Sequence, residues 1–341
     1  MEIREGLTFD DVLLVPQHSK IGSRSEVDIS VQINKLQFKH PIIPANMSSV
    51  TGQEMAVEII KSGGLAVLHR FMLRQEQFDI TKDIIDQGGS KNFAVSLGVK
   101  EDDIKNFDVF YSMGVRIFCI DIAHGDSYHC IQMIKALKER HSNITIIAGN
   151  VSTGQGAYNL WRAGANIVKV GVGPGSLCTT RIETGNGVPQ LTALMDVYQR
   201  RQEATNGKWL TEPAHIIADG GIKSAGDVVK ALCFADMVMI GNLFAGCVEA
   251  PGEIRRDPLG GTYKEYKGSS THKANHIEGV SAFVACTGKY ENVLTKLLEG
   301  LRSGCSYQGA NSLSELKDNP TFIRITNAGL RESHPHDVII R

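Results

Sequence analysis

The sequence predicts a (β/α)8 TIM barrel. Three observations carry that expectation: eight short apolar runs spread over residues 41–242, amphipathic helical stretches between them, and polar or glycine residues just after the runs. The runs are continuous rather than alternating, the pattern of parallel strands buried on both faces. A doubly wound open sheet is the weaker alternative.

In chain order the expected strands are "PIIPAN" (41–46), "LAVLHR" (65–70), "FAVSLGV" (93–99) and "IFCIDIA" (117–123). Four more follow at "ITIIAGNV" (144–151), "IVKVGVG" (167–173), "HIIADGG" (215–221) and "MVMIGN" (237–242). Helical periodicity marks "TGQEMAVEIIKSG", "SYHCIQMIKALKERH", "STGQGAYNLWRAG", "SAGDVVKALCF" and, near the end, "ENVLTKLLEGLRSG". The strand-end residues of "PAN", "DIAHG", "AGNVS", "GVGPGS", "ADGG" and "IGN" would gather at one mouth of a barrel, where βα loops build active sites. Two segments break the rhythm: 174–214 reads as a long catalytic loop after strand 6, and 243–291 as a flap after strand 8.

Composition narrows the function. A net charge of −1 gives no basic field for nucleic acid, so phosphate recognition is expected to be local. No run approaches the roughly 20 apolar residues that span a bilayer, and "MEIREGLTFDDVLL" lacks the head and apolar core of a signal peptide. Seven scattered cysteines without a C-x-x-C pair speak against a disulfide framework or structural zinc and for a reducing cytoplasm. His272 and His276 are four apart, but no carboxylate pattern accompanies them.

The chemistry concentrates in "GVGPGSLCTTR" (171–181). Gly173 and Gly175 let the backbone approach a ligand, Pro174 stiffens the turn, and Arg181 adds positive charge near Cys178. Positive charge or amide dipoles favour a thiolate, so the turn can present a nucleophile. The same glycines can aim amides at an anion or carbonyls at a cation. Most lone cysteines are small buried side chains, and local chemistry leaves that role open for Cys178. "ADGG" and "IGN" lie where this architecture commonly holds a phosphate on backbone amides, and Asp219 is a candidate for ribose hydroxyls or for an ordinary turn.

Taken together, "TFDDVLLVPQ", "PIIPANM", "IDIAHG", "KVGVGPGSLCTTR", "GVPQLTAL", "IIADGGI", "MIGNLFAG" and "AGLRESHPHDV" resemble the IMP dehydrogenase/GMP reductase family over nearly the whole chain. The resemblance implies one barrel domain over 1–341, with no CBS-domain insertion in the continuous "LHRFMLRQEQFDITKDIIDQGGSKNFAVSLGV". It implies that Cys178 attacks purine C2 to form a covalent thioimidate, with Thr180 and Glu278 handling protons; Arg70, where many members carry lysine, joins the catalytic set. Ser176, Asp219, Gly220, Gly221, Gly241, Asn242, Gly268, Ser269 and Ser270 would bind the nucleotide. Asp121, Ile122 and Ala123 would face the cofactor, together with Tyr307 and Gly309, and with Ser23 and Arg24 of a neighbouring subunit at its adenosine end. Gly173, Gly175, Cys178 and Arg181 would hold a monovalent cation, potassium. The family's usual assembly is a homotetramer.

Within the family, the short flap "YKGSSTHKANHIEGVSAFV" has no Arg-Tyr pair, which dehydrogenases use to activate water. The expectation is therefore a cytoplasmic GMP reductase that converts GMP to IMP and ammonia with NADPH. The alternatives are an IMP dehydrogenase without CBS domains and a non-catalytic nucleotide-binding barrel. "GNGVPQLTAL" and the tail "FIRITNAGLRESHPHDVIIR" resemble dehydrogenase wording, and the tail's Glu and Ser can complete a neighbouring subunit's cation site in such enzymes.

Overall fold

The computed structural model describes residues 3–268, 280–336 and 338. The eight expected runs form eight parallel strands: β1 (Ile42–Pro44), β2 (Ala66–Leu68), β3 (Phe93–Leu97), β4 (Ile117–Asp121), β5 (Thr145–Val151), β6 (Ile167–Val170), β7 (His215–Asp219) and β8 (Met237–Ile240). Each pairs with its sequence neighbour from β2 through to β8, and β8 pairs back onto β1, with Met239 opposite Ile43. The remaining pair, β1 and β2, lie in contact, so the sheet curls into a nearly closed barrel. The strands are shorter than the apolar runs because the polar ends leave the ladder to form the mouth.

Helices α1 (Gln53–Ser62), α2 (Arg74–Asp86), α3 (Glu101–Ser112), α4 (Tyr128–Arg140) and α5 (Gly154–Ala163) connect successive strands. Local chemistry sets several boundaries: the Ser127 and Thr153 hydroxyls accept the Cys130 and Gly156 amides, satisfying donors that a helix start would leave bare. Ile42, Val67, Val95, Phe118, Ile146, Val168, Ile217 and Val238 are all 0% exposed, so the barrel strands and the helices around them share one packed core.

The long excursion after β6 is more ordered than expected. It contains α6 (Thr180–Thr184) and a 17-residue helix, α7 (Gln190–Asn206). Buried Leu191, Leu194 and Val197 supply α7's inner stripe, which its polar second half obscures in the sequence. After β7 comes α8 (Ala225–Leu232), and after β8 the single turn α9 (Asn242–Ala245). The flap segment then forms an antiparallel pair, β9 (Thr262–Lys267) and β10 (Ser281–Ala285), before α10 (Tyr290–Tyr307). Residues 269–279, which contain Ser269, Ser270 and Glu278, lie outside the described residues.

The opposite, N-terminal end of the barrel is closed by a hairpin of Val31–Ile33 and Leu36–Phe38, whose turn residue Asn34 reaches His215 at the start of β7. There Asp236 is nearly enclosed, with Oδ2 2.8 Å from Arg201 and Oδ1 2.5 Å from Lys317. Burial pushes its carboxyl up, but Arg201 and Lys317 outweigh that and hold it well below the usual range. A charge cluster at the N-terminal end of a barrel bears on stability, and chemistry falls to the other mouth.

Candidate active site

The mouth at the C-terminal strand ends encloses a cavity of about 590 Å³, within the range of small-molecule sites. The chain leaves β6, turns through Gly173 at φ +92°, and brings Cys178 to the cavity wall just before α6. Cys178 is exposed, and its thiol donates to the Thr180 hydroxyl at 3.2 Å. Cys119, Cys130, Cys233 and Cys305 lie buried in the core, where burial pushes their thiols up to about 12.

Gly173 is glycine for two reasons. Its φ lies in the left-handed region, and a Cβ there would collide with the Arg181 side chain. Arg181 runs between Gly173 and Gly187 and donates to the Val188 carbonyl at 2.6 Å. It lines a second cavity of about 250 Å³ with Gln190, Gly221 and Lys223, which shares Pro174 and Ser176 with the larger one. The positive charge expected beside the thiol is therefore turned away from the main cavity, and Arg181 braces the loop instead.

Of the other expected residues, Arg70, Asp121, Ile122 and Ala123 line one side of the main cavity, and Gly175, Ser176, Asp219, Gly220 and Gly268 another. The Arg70 Nε donates to the Asp121 carbonyl at 3.0 Å, which ties the residue after β2 to the end of β4. Gly221 faces the smaller cavity. Asn242 reaches the Ser176 hydroxyl at 3.4 Å, and Gly241 lies against the Tyr266 hydroxyl. Ser176, the loops after β7 and β8 and Tyr266 thus surround one corner, the place where this architecture cradles phosphate. Ser23, Arg24, Tyr307 and Gly309 belong elsewhere: the turn Arg24–Glu26 packs on α10, Gln17 bonds to the Tyr307 carbonyl, and Gly309 lies on His18. They form a surface region that does not line this chain's cavity.

Sequence reading missed the centre of the site. Lys169 on β6 is 2% exposed, with Nζ 2.9 Å from Asp121, 3.1 Å from Asp219 and 3.4 Å from Asn46. Asn150 adds a donor, 2.9 Å from Asp219 and 2.9 Å from the Gly171 carbonyl. Burial lowers the Lys169 ammonium's affinity for its proton, but the two carboxylates outweigh burial and raise it above the ordinary lysine value. Burial likewise pushes Asp121 up, and Lys169 overrides it and holds the carboxyl ionised. The available signal was a lysine inside the run "IVKVGVG", since a charge in a strand buried on both faces needs partners. Tyr266 and Asn46, also in the wall, carried no comparable mark.

Fold and site define a TIM barrel with a thiol-bearing pocket of nucleotide dimensions at its C-terminal mouth. The chain belongs to the IMP dehydrogenase/GMP reductase family, whose domain model matches residues 6–336. It is 37% identical to a GMP reductase of Acidovorax sp. (strain JS42), over 94% of this chain and 97% of that protein. It is 35% identical to the inosine-5'-monophosphate dehydrogenase of Borreliella burgdorferi, with 98% of each chain covered. A solved GMP reductase variant from Trypanosoma brucei, in complex with guanosine 5'-monophosphate, matches with a TM-score of 0.90 at 28% identity, covering 99% of each chain.

Proposed function

We propose that the protein is a GMP reductase: it takes GMP, NADPH and a proton to IMP, ammonia and NADP⁺. The observation that carries this reading is the exposed Cys178 thiol, bonded to Thr180 and facing the same cavity as Asp219 and Asp121. The GMP reductase relatives support the branch, as does the absence of an Arg-Tyr pair from residues 266–284.

The nucleotide phosphate rests at Ser176, Gly220, Gly221, Gly241 and Asn242, with Gly268, Ser269 and Ser270 along the flap, and its ribose at Asp219. Anchoring the far end holds purine C2 at the Cys178 sulfur, which converts the attack into an intramolecular event. The sulfur adds to C2 while its proton passes through the Thr180 hydroxyl toward the Glu278 carboxylate. That relay protonates the exocyclic amino group as it leaves as ammonia, and the nucleotide stays bonded to sulfur. NADPH, when bound, supplies the hydride that C2 requires. Cys178 then leaves as thiolate and is reprotonated.

Asp121, Ile122 and Ala123 fit a dinucleotide: an ionised acceptor at the cavity wall, with the Arg70 guanidinium next to it to meet negative charge. Ser23, Arg24, Tyr307 and Gly309 serve the adenosine end in a homotetramer, each chain lending them to a neighbour. The carbonyls of Gly173, Gly175 and Cys178 fit potassium, being neutral oxygens suited to a hard cation. The Gly175 carbonyl already accepts one hydrogen bond, from the Cys178 amide at 3.0 Å, and has a second lone pair. Arg181 packs its charge on Gly173, so a carboxylate has to come from elsewhere; the C-terminal tail of a neighbouring chain is the candidate. The direct β2–α2–β3 connection fits a barrel without a CBS module at that point, and the seven scattered cysteines without a C-x-x-C pair favour the reducing cytoplasm.

The test is absorbance at 340 nm in potassium buffer, with GMP plus NADPH in one cuvette and IMP plus NAD⁺ in another. Loss of signal in the first alone, with ammonia released, supports the reductase. A rise in the second alone overturns it in favour of an IMP dehydrogenase, the activity named for the Borreliella burgdorferi relative.

A further inference from the structure

We infer that Lys169 is a positioning residue that couples the nucleotide site to the dinucleotide site, because one buried ammonium bridges the carboxylate that serves each. The inference rests on the reading above, in which Asp219 receives the ribose and Asp121 the cofactor.

Lys169 rises from the middle of the barrel on β6, between β7, which ends in Asp219, and β5, beyond which β4 ends in Asp121. Its three N–H donors face three oxygen acceptors, Asp121 Oδ1, Asp219 Oδ2 and Asn46 Oδ1, with the Met239 sulfur a weak fourth contact at 4.0 Å. The two carboxylates are 16% and 19% exposed, so each gives one side to the ammonium and retains some surface toward the cavity they both line. Asn150 pins the Asp219 oxygen that Lys169 shares. Neither carboxylate can turn without moving the ammonium that also orients the other.

That geometry transmits order. Ribose hydroxyls donating to Asp219 fix its rotamer, and the fixed oxygen holds Nζ at one position. Asp121 is then ordered before a dinucleotide arrives, so the second ligand loses less conformational entropy on binding than the first. The coupling is reciprocal: each ligand tightens the other by the same factor. Arg70, bonded to the Asp121 backbone rather than to its carboxylate, leaves this bridge intact.

The experiment is calorimetric titration of GMP into the full-length protein, alone and saturated with NADP⁺, a pair that cannot turn over. The wild type is expected to bind GMP about fivefold or more tightly when NADP⁺ is present, the lower end of common coupling factors. Lys169→Met, of similar length and without charge, brings that factor to within about twofold of unity even where both ligands bind more weakly. A merely structural role would weaken both ligands and leave the ratio unmoved. Should Lys169→Met fail to fold by circular dichroism, Asp121→Asn carries the test. It halves the bridge's negative charge, and the factor again falls toward one at saturating NADP⁺. Wild-type coupling retained in whichever variant folds, or independent binding in the wild type, overturns the inference and leaves the functional reading standing. Wild-type protein that binds neither GMP nor NADP⁺ overturns both.

Discussion

Replacing Gly173 with alanine tests whether the turn exists to aim the thiol. The new Cβ meets two obstacles. At φ +92° an L-residue carries a backbone cost of about 1–2 kcal/mol, and the methyl occupies space now filled by the Arg181 guanidinium stem. Moving Arg181 breaks its 2.6 Å bond to the Val188 carbonyl, a charged hydrogen bond of about 1.5–3 kcal/mol. The combined local cost is about 2.5–5 kcal/mol. For 341 residues the unfolding entropy is on the order of 0.7 kcal/mol/K, so a fully rigid loop would lower Tm by about 4–7 °C. A loop that shifts instead retains more stability and displaces Cys178; a misplacement of about 1 Å costs on the order of 10²-fold in turnover. Differential scanning fluorimetry and the 340 nm assay on the same preparation read both routes. Measured against Arg181→Ala alone, which already lacks the Val188 bond, the double variant has no collision and shows only the backbone share of the loss. A Gly173→Ala protein with wild-type Tm and wild-type kcat/KM would refute the argument that this glycine positions the nucleophile.

Further outcomes follow from the same contacts. Cys178→Ser is expected to lose about 10³-fold or more in turnover with Tm unchanged, because the thiol is exposed; Thr180→Val, which removes the thiol's partner, lowers kcat about 10²–10⁴-fold while GMP still binds by calorimetry. Asp236→Asn strands Arg201 and Lys317 and destabilises the protein by about 3–5 kcal/mol in urea unfolding at pH 7. Because the folded Asp236 carboxyl is depressed, its contribution is present above the unfolded value near about 4 and is lost only as pH falls below it. The gap between variant and wild type is thus flat from pH 8 to 5 and closes in acid. Burial lowers His40 from 6.5 to about 4, so its neutral form contributes stability above its unfolded value; about 3 kcal/mol is lost as pH falls from 6.5 to 4, and His40→Gln flattens that slope in urea midpoints.

The barrel was legible because each of its strands is buried on both faces and must therefore read as an unbroken apolar run, a signal that needs no knowledge of partners. The Cys178 turn was legible for a related reason: glycine, proline and a polar terminus mark backbone geometry, which is local. The long helix α7 was missed where its exposed second half weakens the stripe that Leu191, Leu194 and Val197 begin. Side-chain partnerships are a different matter, since they depend on how the sheet curls. Arg181 is three residues from Cys178, yet the turn carries it into the neighbouring cavity, so closeness in sequence predicted the wrong face. Lys169, Asp121 and Asp219 are separated by about 50 residues in either direction, and only strand register around a closing barrel brings their charges within 2.9 and 3.1 Å. Local sequence sets backbone conformation and burial; which charges meet across the barrel is decided by tertiary packing, because the positions of strands in the sheet are fixed by the whole core at once.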